Sequence, residues 1–128
     1  EMLPIFLNSK YNFINLQFGK SETDLEIMEK KHNIKIQTIP DIDNYHDIEK
    51  LAALINSLDL VITIQNSTTH LSGALGKKTL VMLSKNARWH WGINEKNSYW
   101  YPNVKIYKQE TLGNWKSVID SIILDLGK

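Results

Sequence analysis

Gln65-Asn66-Ser67-Thr68-Thr69-His70 puts amide, hydroxyl and imidazole groups in consecutive positions, directly after the apolar run Leu60-Val61-Ile62-Thr63-Ile64. The small residues of Leu71-Ser72-Gly73-Ala74-Leu75-Gly76 follow and read as a helix. A strand that ends in such a turn delivers a helix N-terminus to whatever lies beyond it. The first helical turn has unpaired backbone N–H groups and a partial positive charge, both suited to a phosphate or carboxylate. Ser67, Thr68 and Thr69 add hydroxyl donors, and His70 adds a proton or a hydrogen bond. The same residues have a plainer use, in which Ser67 or Thr68 caps the helix and His70 rests on a backbone carbonyl. The local pattern leaves both uses open.

The elements that must position this turn can be read from periodicity. Residues 12–18 alternate apolar with polar before Gly19 and predict a first strand. Ser21 is the expected N-cap of a helix that carries Leu25 and Met28 and frays near His32 and Asn33. Residues 34–39 alternate again and stop at Pro40, predicting a second strand. A polar loop over residues 41–46 leads to a helix with Ile48, Leu51, Ala52, Leu54, Ile55 and Leu58 at helical spacing. Residues 60–64 are apolar on both faces apart from Thr63, which predicts a third strand at the centre of a sheet. The helix from about residue 67 to 75 ends at Gly76, a suitable C′ residue, and residues 79–83 form the fourth strand. A tryptophan-rich connection precedes a short fifth strand over residues 104–107. Asn114 then caps a last helix that carries Trp115, Val118, Ile119, Ile122, Ile123 and Leu126. Alternation of strand and helix implies an α/β fold, a Rossmann-like parallel sheet of about five strands with helices on both faces.

Composition narrows the function. At 128 residues the chain is long enough for one domain with a core of its own, and its opening Glu1-Met2-Leu3-Pro4 fits a piece of a longer protein. The net charge is +1, from 15 basic and 14 acidic residues spread along the sequence, so nucleic acid is not an expected partner. There is no cysteine, which removes thiol chemistry and cysteine-ligated zinc. His32, His46, His70 and His90 lack close ligand spacing, so neither a metal nor another cofactor is expected. No apolar run approaches bilayer length, so no transmembrane segment is expected.

In an open parallel sheet, ligands bind beyond the carboxyl ends of the strands. The segments expected there are Gln17-Phe18-Gly19, Ile39-Pro40-Asp41, residues 65–70 and Ser84-Lys85. They hold no acidic cluster, and glycine-rich nucleotide fingerprints are missing. An anion such as a diphosphate therefore suits this edge better than a metal, with contacts from hydroxyls and helix N–H groups. Lys77 and Lys78, just past the helix, fit a solvated corner. Trp89, Trp91, Tyr99, Trp100 and Tyr101 share one connection. They can cover a sheet edge as a satellite core or stack on a nucleobase or sugar.

From Asp47 to Leu126 the chain resembles the glycosyltransferase family 9-like (heptosyltransferase-like) domain of bacterial tetratricopeptide-repeat proteins. The landmarks are Leu51-Ala52-Ala53-Leu54-Ile55, Leu58-Asp59-Leu60-Val61-Ile62, residues 70–76, Trp89-His90-Trp91, Trp100-Tyr101-Pro102 and Asn114-Trp115. Asn15-Leu16-Gln17 and Pro40-Asp41-Ile42-Asp43 also fit, so the resemblance covers nearly the whole chain. It implies the second lobe of a two-lobed GT-B fold, which binds a nucleotide-sugar donor and needs an N-terminal lobe for catalysis. By the same resemblance, Ser67, Thr68, Thr69 and His70 contact the donor phosphates. Gln17 lies near the nucleoside, and Gln65 and Asn66 shape the sugar pocket. No catalytic base is assigned, since the family's base belongs to the first lobe.

Departures from the family pattern are Gln65 for an aspartate, Asn66-Ser67 for a Thr-Gly-type turn, and Arg88 and His90 for Asp and Arg near the tryptophans. The changed Gln65 favours an alternative, a non-catalytic binding or assembly module that keeps the fold. The resemblance implies a cytoplasmic parent protein, and a fragment whose lobe-facing surface is exposed can self-associate.

Overall fold

Apolar residues organise the chain, in short runs or alternation along the strands and three to four apart in the helices. A computed structural model describes residues 1–7, 10–92 and 95–127. It contains helices α1 (Leu3–Leu7), α2 (Glu22–His32), α3 (Ile48–Ser57), α4 (Ser67–Ala74) and α5 (Lys116–Leu126), with a 3-10 turn at Trp89–Trp91. Its strands are β1 (Phe13–Ile14), β2 (Ile36–Gln37), β3 (Val61–Ile64), β4 (Thr79–Leu83) and β5 (Val104–Lys108). The class is α/β, and both of its sheets are parallel. The chain falls into two compact units, Glu1–Leu51 and the part from Ala52 onward.

In the first unit β1 pairs with β2, Phe13 opposite Ile36 and Ile14 opposite Gln37. Both strands are shorter than the alternation predicts, and Asn15 shows why for β1. Its Oδ1 accepts the Gln17 N–H at 3.0 Å and its Nδ2 donates to Ser21 Oγ at 3.0 Å. A side chain that supplies local backbone and loop partners ends the ladder early. Ser21 does sit at the N-cap of α2, but its hydroxyl serves Asn15 and makes no cap bond. The C-terminal end of α2 is closed by Asn33 in the left-handed region at φ 54°. The helix α1 was not expected from the sequence; it buries Ile5 completely.

In the second unit the order is β3-β4-β5, with Val61 opposite Thr79 and Thr79 opposite Val104. β4, every residue of which is buried, is the middle strand of this sheet. β3, expected at the centre, flanks it, and Ile64 at its end is exposed. Two apolar faces indicate burial, but ladder position depends on which neighbours pair. Val81, Leu83, Trp91, Val104 and Ile106 form one core cluster, with Ala87 and Tyr101 packed against it. The free edge of β5 is partly occupied, because Ser98 N–H donates to Val104 O at 3.1 Å and Ile106 N–H to Lys96 O at 2.8 Å. α5 buries Val118, Ile119 and Ile122, as its spacing predicts. Its cap position is Trp115, while Asn114 accepts the Lys116 N–H at 3.0 Å. Among the described residues no helix is long and apolar enough to cross a membrane.

Candidate functional site

The turn from β3 into α4 is built by three short side chains. Asn66, extended at φ −148° and ψ −175°, is the N-cap, and its Oδ1 accepts the Thr69 N–H at 3.2 Å. Thr63 Oγ1 approaches the same oxygen at 3.2 Å. The Thr69 hydroxyl donates to Ile64 O at 2.5 Å, which fastens the helix to the end of the strand. Thr69 is 0% exposed, so its side chain holds the turn together instead of lining its mouth. The sequence offered Thr69 as a phosphate contact and Ser67 or Thr68 as a cap; in the fold the cap is Asn66 and Thr69 is its support.

That exchange leaves the first turn open for other use. Ser67 and Thr68 occupy the first two helical positions, whose N–H groups have no carbonyl partner within a helix. Among the described residues no capping side chain accepts from them, and neither hydroxyl makes a hydrogen bond to the protein. Ser67 is exposed and Thr68 is buried. The partial positive charge of the helix end falls on the same spot.

Buried hydroxyls fasten α4 to the start of β4. Thr69, Ser72 and Thr79 are each fully buried, and their hydroxyls are satisfied internally. Ser72 Oγ donates to Thr69 O at 3.1 Å, and Thr79 Oγ1 lies 3.0 Å from Ser72 Oγ and 2.8 Å from Lys77 O. The helix closes in a Schellman arrangement, with Gly76 N–H on Gly73 O and Lys77 N–H on Ser72 O. Gly76 has φ 72°, which a side chain would resist. The Lys77 ammonium donates to Leu58 O, so this lysine is a tie and not a solvated corner.

His70, one turn into α4, meets the tryptophan connection. Its Nδ1 lies 3.2 Å from the Tyr101 hydroxyl. Its ring stacks on Trp91 at 5.4 Å between centroids with 27° between planes, and lies 5.6 Å from the ring of His90. Gln65 Oε1 accepts the Arg88 N–H at 3.4 Å, tying the end of β3 to the same connection. His90 titrates below the ordinary imidazole range, because burial disfavours its cation and the charges of His70 and Arg88 add repulsion. Its Nε2 and the Trp91 Nε1 are buried without a hydrogen-bond partner among the described residues.

The aromatic residues divide between the two uses that the sequence left open. Trp91 is 1% exposed and belongs to the core, with Tyr101 packed against that core. Trp89, at 84% exposed, Tyr99 and Trp100 face solvent, and Trp100 Nε1 donates to His90 O at 3.2 Å. Residues 93 and 94 of this connection lie outside the described residues.

The fold therefore brings Gln65, Asn66, Ser67, Thr68 and His70 onto one turn and adds Arg88, His90, Trp91 and Tyr101. Gln17 belongs to the first unit, where its side chain is exposed, its N–H donates to Asn15 and its carbonyl accepts from Asn44 at 3.0 Å. The pairing of Tyr101 with His70 was not read from the sequence. A signal for it exists in Gly73, one helical turn after His70, where a large ring can approach the backbone.

No family model matches the chain, and no solved structure does. The chain is similar to protein FlbA of Caulobacter vibrioides, with 30% identity over 119 residues that make up 93% of this chain and 20% of that protein. It thus spans about a fifth of the length of this relative.

Proposed function

We propose that this chain is the donor-binding lobe of a GT-B-type glycosyltransferase, with the diphosphate of a nucleotide-sugar held at the turn between β3 and α4. The observation that carries the reading is the division of labour at residues 66–70. Asn66 and Thr69 complete the cap, and among the described residues this leaves the N–H groups and hydroxyls of Ser67 and Thr68 unengaged, close in sequence to His70. A helix N-terminus with spare donors suits a phosphate.

In this reading Ser67 and Thr68 bind phosphate, His70 donates to phosphate or sugar, and Asn66 shapes the turn. The likeness of residues 47–126 to glycosyltransferase family 9-like domains supports it. The reaction breaks the bond between the sugar's anomeric carbon and the diphosphate while an acceptor hydroxyl attacks that carbon. Negative charge develops on the departing diphosphate, and preset N–H donors stabilise it. A single well-placed donor of this kind lowers a barrier by about 3 kcal/mol. Activation of the acceptor falls to an N-terminal lobe, and the parent is a cytoplasmic tetratricopeptide-repeat protein.

A second reading rests on Gln65. Its side-chain oxygen is engaged with the Arg88 backbone, a structural tie where the resembling family has an aspartate. This favours a non-catalytic module that keeps the fold as a binding or assembly surface. Calorimetric titration with UDP, GDP, ADP and CDP, with and without magnesium, separates the two. Saturable binding of one nucleotide, weakened by Thr68→Ala, supports the donor lobe. No binding by the full-length parent overturns it in favour of the module.

A further inference from the structure

We infer that Tyr101 is a positioning residue that fixes the neutral His70 imidazole as an Nε2–H donor. The hydroxyl of Tyr101 lies 3.2 Å from His70 Nδ1 and has no other hydrogen-bond partner among the described residues. A phenol is a proton donor by preference, and a neutral imidazole has one nitrogen that accepts and one that donates. The phenol therefore donates to Nδ1, and the imidazole proton sits on Nε2.

The place of Tyr101 is built from several sides. Its ring covers Gly73 so closely that a β-carbon there would come within 2.5 Å of Tyr101 Cγ. Its N–H reaches the buried Ser98 Oγ at 3.3 Å, and its carbonyl accepts the Val104 N–H at 3.0 Å. The His70 ring is held in turn by its stack on Trp91. Two packed rings and one hydrogen bond thus fix both the plane and the tautomer of His70.

Nε2 then donates whether the imidazole is neutral or protonated, because Nδ1 is the nitrogen that changes state. From its neutral form the imidazole can therefore donate to a ligand oxygen that carries no proton, such as a diphosphate oxygen. What the donor addresses rests on the donor-lobe reading; the tautomer does not.

The test is nitrogen-15 NMR of the His70 ring in the ligand-free chain at about pH 8, above the ordinary imidazole range. The expected spectrum has the proton on Nε2, with an Nδ1 signal displaced by an accepted hydrogen bond. In Tyr101→Phe, which keeps the ring over Gly73, that displacement disappears and the second tautomer becomes populated. A proton on Nδ1 in the unsubstituted chain, or His70 signals unchanged by Tyr101→Phe, overturns the inference. Titration with inorganic pyrophosphate and the same four nucleoside diphosphates then addresses the ligand. Tyr101→Phe is expected to weaken binding about three- to tenfold, the effect of one hydrogen bond. Equal binding by the variant counts against the positioning role while leaving the donor lobe standing. A fixed tautomer in a full-length parent that binds none of these ligands sinks the donor lobe and keeps the positioning.

Discussion

Gly73 and Tyr101 occupy the same space in the sense that only a glycine fits beneath the ring. A β-carbon at position 73 would sit 2.5 to 2.9 Å from three ring carbons of Tyr101. The atoms it meets include the base of the ring, which cannot swing aside without moving the connection that carries it.

Gly73→Ala should therefore destabilise the chain even though alanine is the better helix former. Overpacking of this kind costs about 1 to 3 kcal/mol, against a helix-propensity gain of about 1 kcal/mol. Thermal melts of Gly73→Ala, Tyr101→Ala and the double variant check this. The expected signature is a double variant more stable than additivity allows. Additive effects would show that the ring does not rest on Gly73.

The turn at residues 66–70 should separate stability from binding. Asn66→Ala removes a cap and is expected to cost about 1 kcal/mol. Thr69→Val keeps shape but removes the donor to Ile64 O, with a loss of similar size, about 1 kcal/mol. Thr68→Ala should leave the melting temperature nearly unchanged while weakening nucleoside-diphosphate affinity, whereas His70→Ala should weaken affinity and also cost about 1 kcal/mol with its bond to Tyr101. Denaturant melts and calorimetry on the same four variants check the division. A large stability loss in Thr68→Ala without a change in affinity would make Thr68 part of the core.

His90 should make the second unit acid-sensitive. Its folded pKa lies below the ordinary value of 6.5, from burial first and then from His70 and Arg88. The unfolded chain therefore binds the proton more readily in the window below 6.5. Stability is fully present above that value and falls as the pH drops through the lower folded pKa. Melting temperatures of the chain and of His90→Gln between about pH 7 and pH 5 check this, since the ordinary imidazole range falls inside that interval. The substitution should flatten the profile.

The loop after β2 should respond in a lower window. Asp43 accepts the N–H groups of Tyr45 at 2.8 Å and His46 at 3.0 Å, and the His46 ring Nδ1 lies 2.8 Å from its other oxygen. These bonds, the backbone ones first, lower its pKa from 3.8 to about 2. Their contribution is present above 3.8 and is lost as the pH falls through about 2. The His46 amide should stay protected from exchange through that interval and lose protection below it. In Asp43→Ala the protection should be absent at every pH.

Asp125 should fasten α5 to β5. The Tyr107 hydroxyl donates to it at 2.5 Å, and the Lys105 ammonium pairs with the same oxygen. Burial, followed by this partnership, pushes the Tyr107 phenol well above its ordinary range. Tyr107→Phe is expected to cost about 1 kcal/mol in urea melts. Lys105→Ala should cost less, about 0.5 kcal/mol, because the lysine is half exposed and solvent screens its charge.

The sequence by itself determined the alternation of strand and helix, the α/β class and the end of α4 at Gly76. Each depends on a repeat or a residue type acting within a few positions, and such signals survive without knowledge of partners. The face of α5 at Val118, Ile119 and Ile122 was legible for the same reason. Tertiary structure alone decided that β4 is the middle of its sheet, since apolar strands look alike until their neighbours pair. It also decided that Asn66 caps α4 and that Thr69 turns inward, a choice among adjacent polar residues set by which oxygen reaches which N–H. The partnership of His70 with Tyr101 joins residues that no local period connects. It exists because Gly73 lets a ring from a distant connection lie on the helix backbone, and contact at that distance is a property of the packed chain.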